Sequence, residues 1–209
     1  MTSTSRFEAL VRRVEACATC TGVEHTHLIG VTNGRLDARL LVVGEAPGRL
    51  GAARTGVPFH GDRAGDRFEA LLAAAGLDRR DVFVTNAVLC SPRSDSDTNR
   101  RPRPVEVTAC LDHLRATLDV VGAPVVAALG RVALDALAAV EPHGIDALTL
   151  EAGRPRPWAG RTLVPLIHPS GRTIGRRSAA QQRDDWQALG ALVREAARGT
   201  TAEAAPRPL

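Results

Sequence analysis

Short apolar runs alternate with longer amphipathic stretches along this chain. Four runs are apolar at nearly every position, which is typical of strands buried on both faces of a sheet. We predict these strands at 40–43, 81–89, 123–130 and 162–170. The other stretches repeat apolar residues at helical spacing, and they predict helices at 6–17, 64–77, 104–122, 131–140 and 178–198. This alternation predicts an α/β fold, a three-layer α/β/α sandwich with a central, mostly parallel four-stranded sheet.

Polar side chains follow three of the predicted strands. Glu45 comes directly after the first strand, Asn86 lies near the end of the second, and His168 follows the fourth. The carboxyl ends of parallel strands meet at one edge of the sheet, where such folds bind ligands. We therefore expect these side chains to form one site. Phe59 lies in the loop that follows the first strand, and its alternative role is that of a core phenylalanine.

Composition narrows the class of protein. A length of 209 residues predicts one domain, at 1–198, with a tail at 199–209. The net charge of +4 favours a polyanionic partner. All 27 basic residues are arginine, so no side-chain amine can form a Schiff base. No apolar run is long enough to span a membrane and the N-terminus lacks a signal-peptide pattern, so we expect a monomeric cytoplasmic protein that does not bind membranes.

The four cysteines predict a metal site. Cys17 and Cys20 form a C-x-x-C pair, and Cys90 and Cys110 are the other two. In a reducing compartment such a set indicates a metal before disulfides. Zinc and an iron–sulfur cluster both accept four thiolates, and buried free cysteines are the alternative.

Four motifs together resemble the uracil-DNA glycosylase superfamily, specifically its iron–sulfur branches. They are "GEAPG" at 44–48, "PF" at 58–59, "TNAVLC" at 85–90 and "HPS" at 168–170. The resemblance covers roughly 17–186, so it implies one glycosylase-like domain. It also implies that the four cysteines ligate a structural [4Fe–4S] cluster.

Two branches of that superfamily are combined here. The acid in "GEAPG" is a feature of the family-four enzymes, whereas the loop at 54–66 looks more like the family-five enzymes. A further branch bonds covalently to DNA through a histidine in the loop after the "TNAV" strand. The loop at 91–104 of this chain contains no histidine, so we expect no such bond.

The resemblance implies a pocket for a uracil flipped out of DNA, with Glu45 and His168 as catalytic residues. The substrate-binding residues it implies are Gly44, Ala46, Phe59 and Asn86. A flat phenylalanine ring can stack on a flipped pyrimidine, and one asparagine amide can accept from uracil N3–H and donate to O4. His168 would donate a hydrogen bond to uracil O2 and stabilise the departing base. Glu45 would orient the attacking water or stabilise the cationic sugar. Whether the neighbouring His60 contributes stays open.

Two arginine-rich segments are candidates for contacting DNA. The loop at 91–104 carries Arg100 and Arg101, with a solvated loop as the alternative. The segment 168–177 offers Ser170, Arg172, Arg176 and Arg177 for phosphate contacts, and by analogy Arg172 for a wedge in the minor groove.

The expected activity is hydrolysis of the N-glycosidic bond of uracil in DNA. Because enzymes that also cut the strand normally use a lysine, the lysine-free sequence predicts that the abasic site is left intact. One alternative is a broader specificity that includes hypoxanthine and xanthine. Two others are a non-catalytic iron–sulfur module that binds nucleic acid and a zinc structural protein.

Overall fold

The computed structural model describes residues 2–170 and 177–203, with side chains up to residue 198. The strands are β1 (Val23–Glu24), β2 (Leu40–Gly44), β3 (Val82–Asn86), β4 (Ser91–Pro92), β5 (Val125–Leu129), β6 (Arg156–Trp158) and β7 (Arg161–Leu166). The helices are α1 (Ser3–Glu15), α2 (Ala52–Thr55), α3 (Arg63–Ala74), α4 (Pro104–Val121), α5 (Arg131–Val140), α6 (Leu148–Glu151) and α7 (Ala179–Glu203).

The main sheet has the strand order β3-β2-β5-β7-β6. The first four of these are mutually parallel and correspond to the four predicted strands. The fifth, β6, pairs antiparallel with β7 at the edge, so the sheet has five strands rather than the predicted four. Only Trp158 of β6 is buried, so this short strand lacks the continuous apolar run that reveals the others.

Helices cover both faces of the sheet, as predicted for a three-layer sandwich. On one face α1, α4 and α5 pack against alternate strand residues such as Leu41 and Phe83. On the other face α3 and α7 pack against the intervening residues, among them Leu40 and Val42. Because successive side chains of a strand point to opposite faces, the fully apolar runs supply both cores at once.

A second, two-stranded sheet joins β1 to β4 in antiparallel register. Strands of two residues leave no periodic signal, and the sequence does not predict them. Helix α7 continues to Glu203, past residue 198, where the predicted domain ends. No helix in the described part of the chain has the length and apolar character needed to cross a membrane.

Candidate active site

Two of the predicted site residues are neighbours in the sheet. Gly44 ends β2 and Asn86 ends β3, and the two are direct partners in the parallel register. Beyond them, the backbone N–H of Ala87 donates to the Gly44 carbonyl at 2.9 Å and that of Val88 donates to the Glu45 carbonyl at 3.1 Å. The "GEAPG" loop therefore runs beside the "TNAV" segment.

Gly44 leaves room for two larger side chains. A Cβ added to it would lie 2.5 Å from Asn86 Oδ1 and 2.9 Å from Cε2 of the Phe59 ring. Both distances are too short for real atoms. The absence of a side chain at Gly44 thus lets the amide and the ring approach the same point.

Phe59 lies between the core and the site. Its ring stacks on the buried Phe68 with centroids 4.8 Å apart and planes inclined by 21°. It also lies 5.6 Å from the imidazole of His168, centroid to centroid. Phe59 is half-buried and has a positive φ of 48°, a conformation that costs a non-glycine residue about 1 to 3 kcal/mol.

The His168 ring has a defined orientation at the carboxyl end of β7. The backbone N–H of Ser170 donates to its Nδ1 at 3.1 Å. An imidazole nitrogen that accepts carries no proton, so in the neutral ring the proton lies on Nε2. Gly130 lies close to the Cβ of His168, because a Cβ added to Gly130 would be 3.1 Å from that atom.

Glu45 and Ala46 are half-buried and follow β2 directly. The rest of their loop is anchored to the segment after Cys90. The Ser91 hydroxyl donates to the Pro47 carbonyl at 2.8 Å, and the Arg49 backbone N–H donates to Asn99 Oδ1 at 2.8 Å. The structure therefore brings Gly44, Phe59, Asn86 and His168 together. Glu45 is the next residue after Gly44 in the chain.

The four cysteines come together from three separate parts of the chain. None of them forms a disulfide; Cys90 and Cys110 are buried, and Cys17 and Cys20 are half-buried. Burial, together with the charges of the other three cysteines, raises the pKa of Cys110 to about 11. Burial likewise raises the pKa of Cys20 and of Cys90. The thiols are thus close enough to influence one another, as a shared metal site requires.

Two histidines that the sequence motifs do not single out lie beside the cysteines. His25, His27 and Cys90 have ligand atoms within 4.8 Å of one another. His25 Nδ1 is 3.8 Å from the Cys90 Sγ, and His27 Nε2 donates to the Cys17 carbonyl at 2.9 Å. The H-x-H spacing after Cys20 is the sequence signal for this group. Together the residues form a Cys/His site that can hold a metal.

Two of the arginines predicted to contact DNA pair with carboxylates of the protein. Arg100 is internal: its side chain makes five hydrogen bonds, two of them to the buried Glu106 at 2.6 and 2.8 Å. Arg177 donates two hydrogen bonds to Asp185. These contacts lie within the fold, and a role of Arg100 and Arg177 in holding DNA phosphates stays a prediction.

For the other candidates, contact with DNA also stays a prediction. Arg101 has a side chain 64% exposed, 4.0 Å from Asp135. Ser170 is half-buried beside His168. The predictions for Arg172 and Arg176 lie outside the described residues. His60 is exposed next to Phe59.

A ring, an amide and an imidazole thus lie at the carboxyl edge of a mostly parallel sheet in an α/β fold. A family model described as "Uracil DNA glycosylase superfamily" matches residues 31–190. This chain belongs to the uracil-DNA glycosylase superfamily, which confirms the resemblance seen in its motifs.

The relatives include both types that the motifs suggest. A type-4 uracil-DNA glycosylase of Thermotoga maritima is 36% identical over 166 residues, 78% of this chain and 81% of that protein. A type-4 enzyme of Archaeoglobus fulgidus is 37% identical over 129 residues, 61% of each chain. A type-5 uracil-DNA glycosylase of Thermus thermophilus is 37% identical over 119 residues, 51% of this chain and 52% of that protein.

Proposed function

We propose that this protein is a DNA repair enzyme, a uracil-DNA glycosylase that hydrolyses the N-glycosidic bond of a uracil flipped out of DNA. The observation that carries the proposal is the convergence of Gly44, Phe59, Asn86 and His168 at the carboxyl edge of the sheet. The names of the type-4 relatives support the same reaction.

Phe59 and Asn86 would recognise the base. The Phe59 ring provides a flat apolar surface for a pyrimidine, an interaction worth about 1 to 3 kcal/mol per base. The Asn86 amide would accept from uracil N3–H and donate to O4. Cytosine presents the opposite pattern at both positions, so it would leave polar groups of Asn86 unpaired in a buried site.

His168 would stabilise the departing base. As the C1′–N1 bond breaks, its electron pair moves onto the uracil ring and negative charge develops on O2. A proton on Nε2, which follows from the Ser170 hydrogen bond to Nδ1, makes the neutral imidazole a donor for that charge. The neutral ring needs no protonation to act in this way.

Glu45 would act on the sugar side of the same bond. Its carboxylate would orient the attacking water, or it would stabilise the positive charge that the sugar carries in the transition state. Water then adds to C1′, which keeps a hydroxyl, and the other proton of the water neutralises the uracil anion. Because the sequence contains no lysine, no side-chain amine can form the Schiff base that strand cleavage normally requires. The product is an intact strand with an abasic site.

Cys17, Cys20, Cys90 and Cys110 would hold a [4Fe–4S] cluster. Four cysteine thiolates are the usual ligand set of such a cluster, and the charges of neighbouring cysteines raise the pKa of Cys20, Cys90 and Cys110, which fits a shared site. The cluster would supply structural cross-links among three chain segments and no step of the reaction. Iron analysis and visible absorbance of anaerobically purified protein distinguish it from zinc.

The DNA itself would contact the arginine-rich rim of the site. The described candidates for the phosphates are Ser170, Arg100, Arg101 and Arg177, and Arg172 and Arg176 are added as sequence predictions. Phosphate contacts position the duplex without reading its sequence. We expect the protein to act on DNA as a monomer in the cytoplasm.

A base-release assay tests the proposed function. Oligonucleotides carry uracil, hypoxanthine, xanthine, cytosine or thymine at one position, and the wild-type protein is compared with His168→Ala. We expect uracil release with uncut strands until alkali is added, and a loss of about 10²- to 10³-fold in His168→Ala. Binding of uracil-containing DNA without release of any base would contradict the proposal and favour a non-catalytic binding protein.

A further inference from the structure

Arg79 connects four groups around the Phe59 loop. It follows α3 in the chain, and its Nη2 donates to the carbonyl oxygens of Pro58 at 2.8 Å and Phe59 at 2.9 Å. Its Nε donates to Glu69 Oε1 at 2.6 Å. The guanidinium carbon lies 4.8 Å from the centroid of the Phe68 ring.

These contacts act on a segment whose backbone is strained at Phe59. Phe59 has a φ of 48°, which is strained for a residue with a side chain. Hydrogen bonds from a charged donor to two successive carbonyls are stronger than those between neutral groups, and they fix the direction of both peptide planes. The peptide plane that follows Phe59 in turn determines where its ring points.

Helix α3 completes the arrangement from the other side. A Cβ on Gly65 would lie 2.7 Å from the Phe59 carbonyl oxygen, so the helix backbone approaches the loop closely. Phe68 of the same helix stacks on the Phe59 ring at 4.8 Å. Arg79 thus braces the loop against Phe68 and Glu69 while holding its carbonyls.

We propose that Arg79 is a positioning residue, which fixes the Phe59 ring in the orientation needed to stack on the flipped base. This inference rests on the proposed function and deepens it. A lysine cannot replace the arginine fully, because a single ammonium cannot reach two carbonyls and a carboxylate while lying flat on a ring. A role limited to general stability would affect folding without acting through Phe59.

The neighbouring residue provides a matched control. The Arg79 side chain is 30% exposed, whereas that of Arg80 is 86% exposed and pairs with Asp78 at the surface. Arg79→Gln and Arg80→Gln therefore remove the same charge from adjacent positions. Only the first removes contacts with the Phe59 loop.

The test is a double-mutant cycle on single-turnover uracil release. We expect Arg79→Gln to slow release about 10- to 100-fold, Arg79→Lys to restore part of that loss, and Arg80→Gln to change it less than twofold. In a Phe59→Ala background, Arg79→Gln should have little further effect, because it acts through the missing ring. Equal losses in both backgrounds, or equal effects at Arg79 and Arg80, would overturn the proposal.

Hydrogen exchange keeps this inference separate from the proposed function. In the free protein, Arg79→Gln should increase amide exchange across 57–62, while Arg80→Gln should not. If the wild-type protein releases no uracil, the proposed function fails and the exchange result alone decides whether Arg79 holds the loop. Unchanged exchange at 57–62 in Arg79→Gln would contradict that role.

Discussion

The edge of the sheet that carries the pocket residues and the region around the four cysteines are held by different kinds of contact. At the sheet edge, strand register places Gly44 beside Asn86, and ring stacking places Phe59 on Phe68. Around the cysteines, loops are joined by charged groups, of which the Arg100–Glu106 pair is the most buried. The residues at the sheet edge therefore depend on the apolar core, whereas ion pairs join the loops of the cysteine region.

Two hydrogen bonds connect these regions. Ser91, directly after Cys90, donates to the Pro47 carbonyl, and Asn99 accepts from the Arg49 backbone. Both contacts reach the loop that carries Glu45, and neither involves Phe59, Asn86 or His168. Changes in the cysteine region should thus alter stability more than they alter base recognition.

The largest effect is expected at Asn86. Asn86→Ala removes the donor and the acceptor that we propose to recognise uracil, and we expect uracil release to fall about 10³-fold with little change in the melting temperature. The buried Asn33 is the matched control, because it donates to the Val84 carbonyl at 2.7 Å and accepts from the Gly30 N–H at 2.8 Å. Asn33→Ala should lower the melting temperature without slowing release by the folded protein. The reverse pattern would place the base elsewhere.

Arg100→Gln tests the cysteine region. Glu106 is 2% exposed, and its hydrogen bonds with Arg100 lower the pKa of its carboxyl group. Removing the arginine takes the charged partner from a buried carboxylate that keeps only the Arg103 backbone N–H as a donor, so the free energy of unfolding should fall by about 3 kcal/mol. Denaturant titration of the metal-loaded protein measures this change. Arg101→Gln is the control and should change stability by less than about 0.5 kcal/mol.

Arg100→Gln also distinguishes an effect on stability from an effect on catalysis. Where Arg100→Gln is folded, its rate of uracil release should remain within about threefold of wild type, since the pocket has its own contacts. A rate loss as large as that of Asn86→Ala would show that the two regions are not independent.

A smaller effect is expected for Gly44→Ala. The added methyl group meets Asn86 and the Phe59 ring, and the displaced groups should slow release about 10-fold, by analogy with other small misplacements in active sites. Gly30→Ala is the control, because nothing lies within 4 Å of its added Cβ. Single-turnover rates of the two variants make the comparison, and equal rates would argue against the close packing of the pocket.

The smallest effect is expected for Arg101→Gln in DNA binding. Loss of one phosphate contact should weaken binding to all sequences alike and reduce the slope of log K against log salt by about 1. Fluorescence anisotropy at several salt concentrations measures the slope. An unchanged slope would remove Arg101 from the DNA-contacting surface.

The order and type of the main elements could be predicted because the four parallel strands are buried on both faces and read as apolar runs. The edge strand β6 could not, since two of its three residues are exposed. The pocket residues could be predicted from the motifs and from their places at strand ends. The close approach of Asn86 and Phe59 at Gly44 is seen only in the structure.

The roles of the arginines were the hardest to predict. Arg100 and Arg177 lie in polar, arginine-rich segments, and only the structure shows that they pair with Glu106 and Asp185. Arg79 and Arg80 are identical in type and adjacent in sequence, yet one holds the Phe59 loop and the other lies at the surface. The sequence gives the number of arginines, whereas the fold determines which partners each of them contacts.

The central claim is that uracil leaves the helix and lies on Phe59 within reach of Asn86 and His168. The most direct test is a crystal structure of the protein with duplex DNA that carries 2′-fluoro-deoxyuridine, whose glycosidic bond resists cleavage. The account predicts an extrahelical uracil stacked on Phe59, with N3 and O4 facing the Asn86 amide and O2 facing His168 Nε2. A uracil still paired in the duplex, or bound away from the carboxyl edge of the sheet, would contradict it.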